Sequence, residues 1–547
     1  MSRSGGRAYL QLVEAYRNAE GKPRQRLVAN LGRLDQLTAA DLEPLIGGLQ
    51  RALGRPSGAS AEPVFESAKA FGDLFALQSL WEELGLSRAL KRAVRSSHRG
   101  FHAEALIRTM AFNRLCDPCS KLGVLRWLQT VAMPQVPELV THDQLLRAMD
   151  ALMDHAQAVE KAVAAQLRPL VDDTLSVVFY DLTTVRIHGT GHMEDDLRAF
   201  GLNKRTGGIA RQFVLGIVQT AEGLPIAHQV HTGNTSEAGT LLPMIQAVIR
   251  QFPIQRVVVI ADRGLLNLDN LAAVEGLKTA EGHPLEYILA VPGRRYAEFS
   301  ETLAAVKLTE GLGETLWQGR RLIVAHDAER AQAQKASRMG KIEAIEAEGD
   351  RLARRLDEAD AGIPQRGRRA SDRGAYLRFN QKVRDARLTR VLKADLEAER
   401  FSFERDADAL QALEKLDGTL LLVTNTDLDA REVLARYKSL ADIERGFRVL
   451  KNDLAIGPVY HRLPERIRAH ALICFLALVL YRVIRMRLKA SGSATSPRQA
   501  LALLRQVQRH SVVINARTYH GIGRLDPVQH DLFRHLKLTP PQTPVAA

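Results

Sequence analysis

The sequence predicts an α/β protein built on a mixed sheet flanked by helices, with basic and helical regions on either side of it. Three observations carry this reading. Continuous β-rich runs, LSVVFYDLT (Leu175 to Thr183) and RVVVIAD (Arg256 to Asp262), have the composition of strands buried on both faces. Such runs alternate with segments of helical period in the order β-β-β-α-β-α-β. The length of 547 residues, 46% of them hydrophobic, exceeds what one core supports, so three or four folding units are expected.

Near the start, Tyr9 to Tyr16 and Arg24 to Leu31 read as two strands around a turn at Asn18 to Lys22, made basic by Arg17, Lys22, Arg24 and Arg26. GRPSGASAEP (Gly54 to Pro63) has the composition of a linker. From about Phe65 to Asp173 apolar residues recur every three or four positions, the helical period. The run ending at Thr183 opens the sheet, and RQFVLGIVQT and LPIAHQVH follow as strands around the Ala221-Glu222-Gly223 turn. A helix from about Ala238 to Arg250, the strand ending at Asp262, a helix near Asn267 to Lys278 and the strand Tyr287 to Pro292 complete this part. Charged, irregular sequence with a long polar helix (Ala336 to Ala359) reads as an insertion. The sheet is expected to resume at Gly418 to Asn425, followed by a helix from about Asp429 to Leu454. The implied divisions are 1–60, 65–173, 174–292, 293–417 (the insertion), 418–484 (with the acidic helix) and 485–547, the last again basic.

A net charge of +14 and a pI near 9.8 favour a polyanionic partner, because binding one releases its counterions. Three cysteines argue against a disulfide framework and for a reducing cytoplasm. The N-terminus has no signal-peptide core, and the longest apolar run, Ala471 to Tyr481, is shorter than the ~20 residues a bilayer requires. No membrane association is expected.

Three carboxylates stand out: Asp181 and Asp262 at strand ends, and Glu444 on the helix YKSLADIERGFRVLKNDL. Hard divalent cations take oxygen ligands, and two of them can serve both oxygens of an in-line phosphoryl displacement. Each acid also has a plainer reading: Asp181 capping a turn, Asp262 capping a helix, Glu444 a solvated glutamate paired with Arg448. On a continuous α-helix Tyr437, Glu444, Arg448 and Lys451 share one stripe, and Leu440, Ile443, Phe447, Leu450 and Leu454 form the apolar stripe beside it.

These residues reach a family. The chain resembles the DDE transposases of bacterial insertion sequences, in the branch of the IS-four superfamily with a Tyr-x2-Arg-x3-Glu-x6-Lys signature. That signature stands here as Tyr437, Leu440, Glu444 and Lys451, with leucine in place of the arginine. The string from Ile443 to Lys451 is similar to the IS-sixteen-thirty-four-like subgroup, as are VEAYRNAEGKPRQRLVANLG, YDLTT, GNTSEAGTLLPMI, ADRGL, DGTLLLVTN and PVYHRLPERIRAHALICFLAL.

The resemblance implies a ribonuclease-H-like core in which Asp181, Asp262 and Glu444 hold two Mg²⁺, with Mn²⁺ able to substitute. Water would free a 3′-hydroxyl at the transposon end, and that hydroxyl would attack target DNA. Tyr437, Lys451, Arg448 and Arg445 would hold DNA near the cut. The implied partner is double-stranded DNA, as terminal inverted repeats and as target, bound by a homodimer in the bacterial cytoplasm and on the nucleoid. The N-terminal hairpin and helices would recognise the repeats. Two other readings remain: a ribonuclease-H-fold nuclease that cuts without joining, and a domesticated DNA-binding protein without chemistry. The CxxC at Cys116 and Cys119 and the histidines His188, His192, His228 and His231 lack zinc-site spacing. Lys204, Arg205 and Arg211 around Gly207-Gly208 form a basic loop suited to DNA phosphate.

Overall fold

The computed structural model describes residues 2–4, 7–54, 63–94, 102–137, 139–171, 176–189, 196–202, 208–235, 240–252, 257–261, 271–279, 282–364, 370–439, 446–514 and 517–542. The chain forms two units, one comprising 1–69, 508–523 and 542–547, the other 70–507 and 524–541.

In the smaller unit, β1 (Ser2–Ser4), β2 (Arg7–Arg17) and β3 (Pro23–Arg33) form an antiparallel sheet. The β2–β3 turn closes where Asn18 Oδ1 accepts from the Lys22 amide at 2.9 Å and Gly21 takes φ +76°, a conformation glycine adopts without strain. The helix Ala39–Ala52 follows, begun by a capping box between Thr38 and Asp41. β4 (Val64–Ala70) joins the late strands Gln508–Ile514 and Arg517–Ile522 in a second sheet. Helix was expected from Phe65; a strand whose partner lies more than 400 residues away leaves no local signal.

The larger unit is organised by a nine-stranded sheet. Its strands are β5 (Ser176–Arg186), β6 (Ala199–Leu202), β7 (Ile209–Thr220), β8 (Pro225–Thr232), β9 (Val257–Ala261), β10 (Glu286–Ala290), β11 (Leu312–Trp317), β12 (Arg320–His326) and, after the short pair β13 (Leu392–Asp395) and β14 (Ser402–Arg405), β15 (Thr419–Thr424). The spatial order is β11-β12-β15-β10-β9-β5-β7-β6, with β8 also on β7. β5, β9 and β10 are mutually parallel, and β7, β8, β12 and β15 add antiparallel pairs. The run β8-β7-β5-β9-β10 has the order 3-2-1-4-5 in chain terms, the mixed sheet of a ribonuclease-H-like core. β11 and β12 come from sequence expected to be insertion; Arg320 and Arg321 obscured the strand, although LIVA within it is wholly buried.

Side chains alternate across this sheet, as a two-residue period requires. From β5 and β7, Tyr180, Leu182, Val214 and Val218 join the largest core, with the helices between residues 72 and 167. On the other face Phe179 joins Val258, Ile260, Ile288 and Leu422, while Val185, Phe213, Leu215 and Ile217 join a separate cluster. The helix Pro464–Ala490 is apolar on nearly every side, and 94% of its most apolar window is buried. It passes the length and hydropathy test for a membrane span, but here it is a core helix packed on β8 and on the helices Ala103–Cys116 and His142–Asp154. The helices Ala328–Asp360 and Asp372–Asp385 pack with β13 and β14 around their own core, including Ile342, Phe379 and Val391.

Gly216 lies opposite Leu182 in the β5–β7 ladder. A Cβ there would fall 2.7 Å from Tyr180 Oη and 2.9 Å from its Cε2, inside normal contact with a ring that is 1% exposed. Gly216→Ala should therefore lower unfolding stability by about 1–3 kcal/mol, read from the denaturant midpoint. An unchanged midpoint would show that the ring has room to move.

Candidate active site

β5 and β9 run side by side in parallel, and their registered pairs extend from Ser176–Val257 to Tyr180–Ala261. Asp181 and Asp262 are the next residues of the two strand sequences. Asp181 is in β5, registered on its other side against Ile217. Asp262, Glu444 and Arg445 lie outside the described residues, as does the side chain of Asp181.

What surrounds them is described. The helix Ala430–Lys438 covers the face shared by Phe179, Ile260 and Leu422, packing through Val433, Leu434 and the half-buried Tyr437. Its first turn is capped by Asp429, whose carboxylate accepts from the Arg431 amide. The helix stops at Lys438 with Ser439 as its cap, so it is shorter than the continuous element expected over 429–454. Helical backbone is present again at Gly446 to Arg448, and Val449–Asp453 is a π turn closed by a 2.9 Å bond from the Leu454 amide to the Val449 carbonyl.

Phe447, Leu450 and Leu454 from the predicted apolar stripe are buried in the cluster of Leu215, Ile217 and Val185. Glu444 is three residues before Phe447, whose cluster contains the register partner of Asp181. Gly446 permits a close approach: a Cβ there would sit 2.9 Å from Gln219 Oε1 and from Arg482 Nη2. Arg448 is exposed and Lys451 half-buried inside the π turn. A π turn adds a residue to the helical cycle, so Lys451 is rotated away from the stripe that a regular helix predicts for it.

Two other acids of this unit are committed to pairs of their own. Glu275 accepts from Tyr287 Oη at 2.8 Å and pairs with Arg320 at 2.8 Å, which holds its carboxyl below the usual range. Asp453 accepts from Tyr481 Oη at 3.2 Å, and burial followed by that carboxylate pushes the phenol up to about 12.

The weaker candidates resolve into packing. Cys116 and Cys119 are free thiols; burial first, then Asp73, pushes the Cys116 thiol up, and Cys119 is tied to Asn113. His228 stacks on Phe475 at 4.7 Å and is driven down to about 4 by burial. Burial also lowers His231, and His188 stacks on Tyr460 at 5.3 Å. Arg211 lies over the Phe200 ring, whereas His192, Lys204, Arg205 and Gly207 are outside the described residues. Among the described residues no three His, Cys, Asp or Glu side chains group as metal ligands.

Sequence reasoning missed a basic cavity of about 1050 Å³ in this unit. It is lined by Arg114, Lys121, His142, His461, Arg462 and His470, among others. The one available signal was the polar His470 interrupting AHALICFLAL, a run otherwise suited to a core.

Residues 172–480 match the Transposase DDE domain family, and residues 1–62 match the IS1634 family transposase, N-terminal domain. No curated protein matches the chain. With more than half its length matched and the mixed sheet of that core in place, the chain belongs to the DDE transposases, enzymes that cut DNA and transfer the cut strand.

Proposed function

We propose that Asp181, Asp262 and Glu444 together form the catalytic centre of this transposase and hold two Mg²⁺ ions, with Mn²⁺ able to substitute. The observation that carries this reading is the parallel β5–β9 pairing, which ends at Tyr180–Ala261 immediately before the two aspartates in sequence. The donor set fits the metal: three carboxylates offer hard oxygen ligands and leave coordination positions for water and phosphate. When bound, the ion pair would activate the attacking oxygen and stabilise the leaving oxygen of the phosphodiester.

The protein's own part is to hold DNA at this position. Exposed Arg448 and half-buried Lys451 supply cations for the backbone, with Arg445 in the same stretch, and Tyr437 supplies a phenol for hydrogen bonding. Leu440 stands where the signature has arginine, so Arg445 or Arg448 takes over that phosphate contact. The cleaved substrate is the element's terminal inverted repeat and the acceptor is target duplex, the two ends being brought together by a homodimer. A net charge of +14 suits that polyanionic partner. The working location is the bacterial cytoplasm, on the nucleoid when bound.

Incubating the purified protein with Mg²⁺ and labelled element-end DNA tests this. Asp181→Asn, Asp262→Asn and Glu444→Gln should each take cleavage and strand transfer below detection while end binding persists, since an amide keeps the shape but is a poorer cation ligand. Near-wild-type cleavage by any one of them removes that residue from the centre. Cleavage without joining would identify a nuclease.

Lys451→Ala should be milder, slowing cleavage roughly 100- to 1,000-fold, the scale for one lost electrostatic contact to the reacting group. A loss confined to binding affinity, with the single-turnover rate unchanged, would place Lys451 away from the scissile phosphate.

A further inference from the structure

The basic cavity is a charge problem in the folded protein. Lys121 is 6% exposed and Arg114 4% exposed, and neither has a carboxylate partner among the described residues. Among the described residues no Asp or Glu lines the cavity. Arg466 is the lining cation that is matched, by Asp150 at 2.8 Å. Arg114 donates from Nη1 to the Ala455 carbonyl at 3.1 Å, and its buried Nε has no hydrogen-bond partner. His470 is bonded through Nε2 to the Ile456 carbonyl at 2.9 Å, while its buried Nδ1 is unpartnered. His461 lies 6.0 Å from His470, ring centre to ring centre.

Burial and the neighbouring cations disfavour the protonated form of each group. Burial first, and Arg114 beside it, bring the Lys121 ammonium down to about 7. Burial first, then Lys121 and Arg466, bring His461 to about 4, and burial with Lys121 and Arg114 pushes His470 well down. Buried cations without counter-charge are costly, and proteins normally pair them.

The wall adds to the field. Ser120 caps the helix Lys121–Thr130, its side chain accepting from the Gly123 amide, so the positive end of that helix faces the same space as Lys121. A metal site is a poor fit despite three histidines and Cys119, because Lys121 and Arg114 would oppose a divalent cation.

We infer that this cavity receives a phosphodiester group of bound DNA, with Lys121, Arg114 and exposed Arg462 as its counter-charges. Position selects DNA as the source of the anion. Val459, on the cavity wall, is bonded to β5 beyond its end, donating to Arg186 O at 3.0 Å and accepting from His188 N at 2.8 Å. The cavity thus opens at the far end of the strand that carries Asp181, about 20 Å along β5 at the rise of a strand. A duplex engaged at the catalytic centre reaches that far, and the phosphate received is distinct from the scissile one. At about 1050 Å³ the cavity is at the upper end of the roughly 300–1,000 Å³ of ligand sites, ample for one backbone phosphate and its water.

This inference rests on the transposase reading, and the test separates the two. Full-length protein is titrated with element-end duplex over a range of salt, without metal. Lys121→Met keeps the aliphatic stem and removes the charge; paired with Arg462→Ala it should weaken binding by about tenfold or more and reduce the salt slope by about 1 per cation removed. In parallel, wild-type protein is acetylated at neutral pH and Lys121 modification is read by mass spectrometry. Duplex should protect Lys121, and millimolar inorganic phosphate or a mononucleotide should not. Unchanged affinity and slope together with no protection by duplex overturns the inference and leaves a cleaving transposase intact. Protection by phosphate alone assigns the site to a free anion and overturns the DNA assignment. A wild-type protein that neither binds nor cuts end DNA sinks both readings.

Discussion

The parallel pairing of β5 with β9 is the constraint on which the rest of the catalytic unit depends. Parallel strands cannot be joined by a tight turn, so the chain between them must cross over, here by way of β6, β7, β8 and the helix Leu241–Gln251. That detour brings two distant stretches, 176–180 and 257–261, to neighbouring places in one sheet. β7 and β8 complete one flank, β10 and β15 the other, and buried side chains on both faces prevent the register from slipping.

The alternation of β5 extends this argument to the third acid. Phe179 belongs to the cluster covered by the helix ending at Lys438, and Val185 to the cluster covered by Phe447 and Leu450. Both are odd-numbered positions of β5 and lie on one face of the sheet. The segment from 439 to 446 connects the two coverings, and Glu444 is within it. Packing of the half-buried Tyr437 in one cluster and burial of Phe447 in the other hold the chain in place at both positions, independently of any electrostatic attraction. Burying Phe447 contributes on the order of 2 kcal/mol, enough to hold a turn in place at modest cost.

Much of this was legible in the sequence where the signal is local. The β2–β3 hairpin, the β7 and β8 strands and the long polar helix follow from turn residues and periodicity. The strands β5 and β9 were marked by their apolar runs, but the strand end expected at Asp181 is not there. β5 continues to Arg186 in its pairing with β7, so Asp181 lies within the strand, where the parallel pairing with β9 stops. Long-range pairing was not legible. β4 reads as helix because its partners are at the C-terminus, and β12 hides behind two arginines that are paired with Glu275 and Glu314. The break after Lys438 and the π turn at Val449–Asp453 were also invisible, since an apolar stripe of helical period carries no record of an added residue. The basic cavity was missed for a related reason: Arg114, Lys121 and His461 are separated by up to 347 positions and share no motif.

Anomalous scattering from crystals of the full chain soaked in Mn²⁺ tests the central claim most directly. The account predicts two peaks roughly 3.5–4 Å apart, both within ligand distance of carboxylate oxygens from residues 181, 262 and 444. Manganese bound with any one of those three acids outside its coordination shell, or no site at the mouth of β5 and β9, would contradict it.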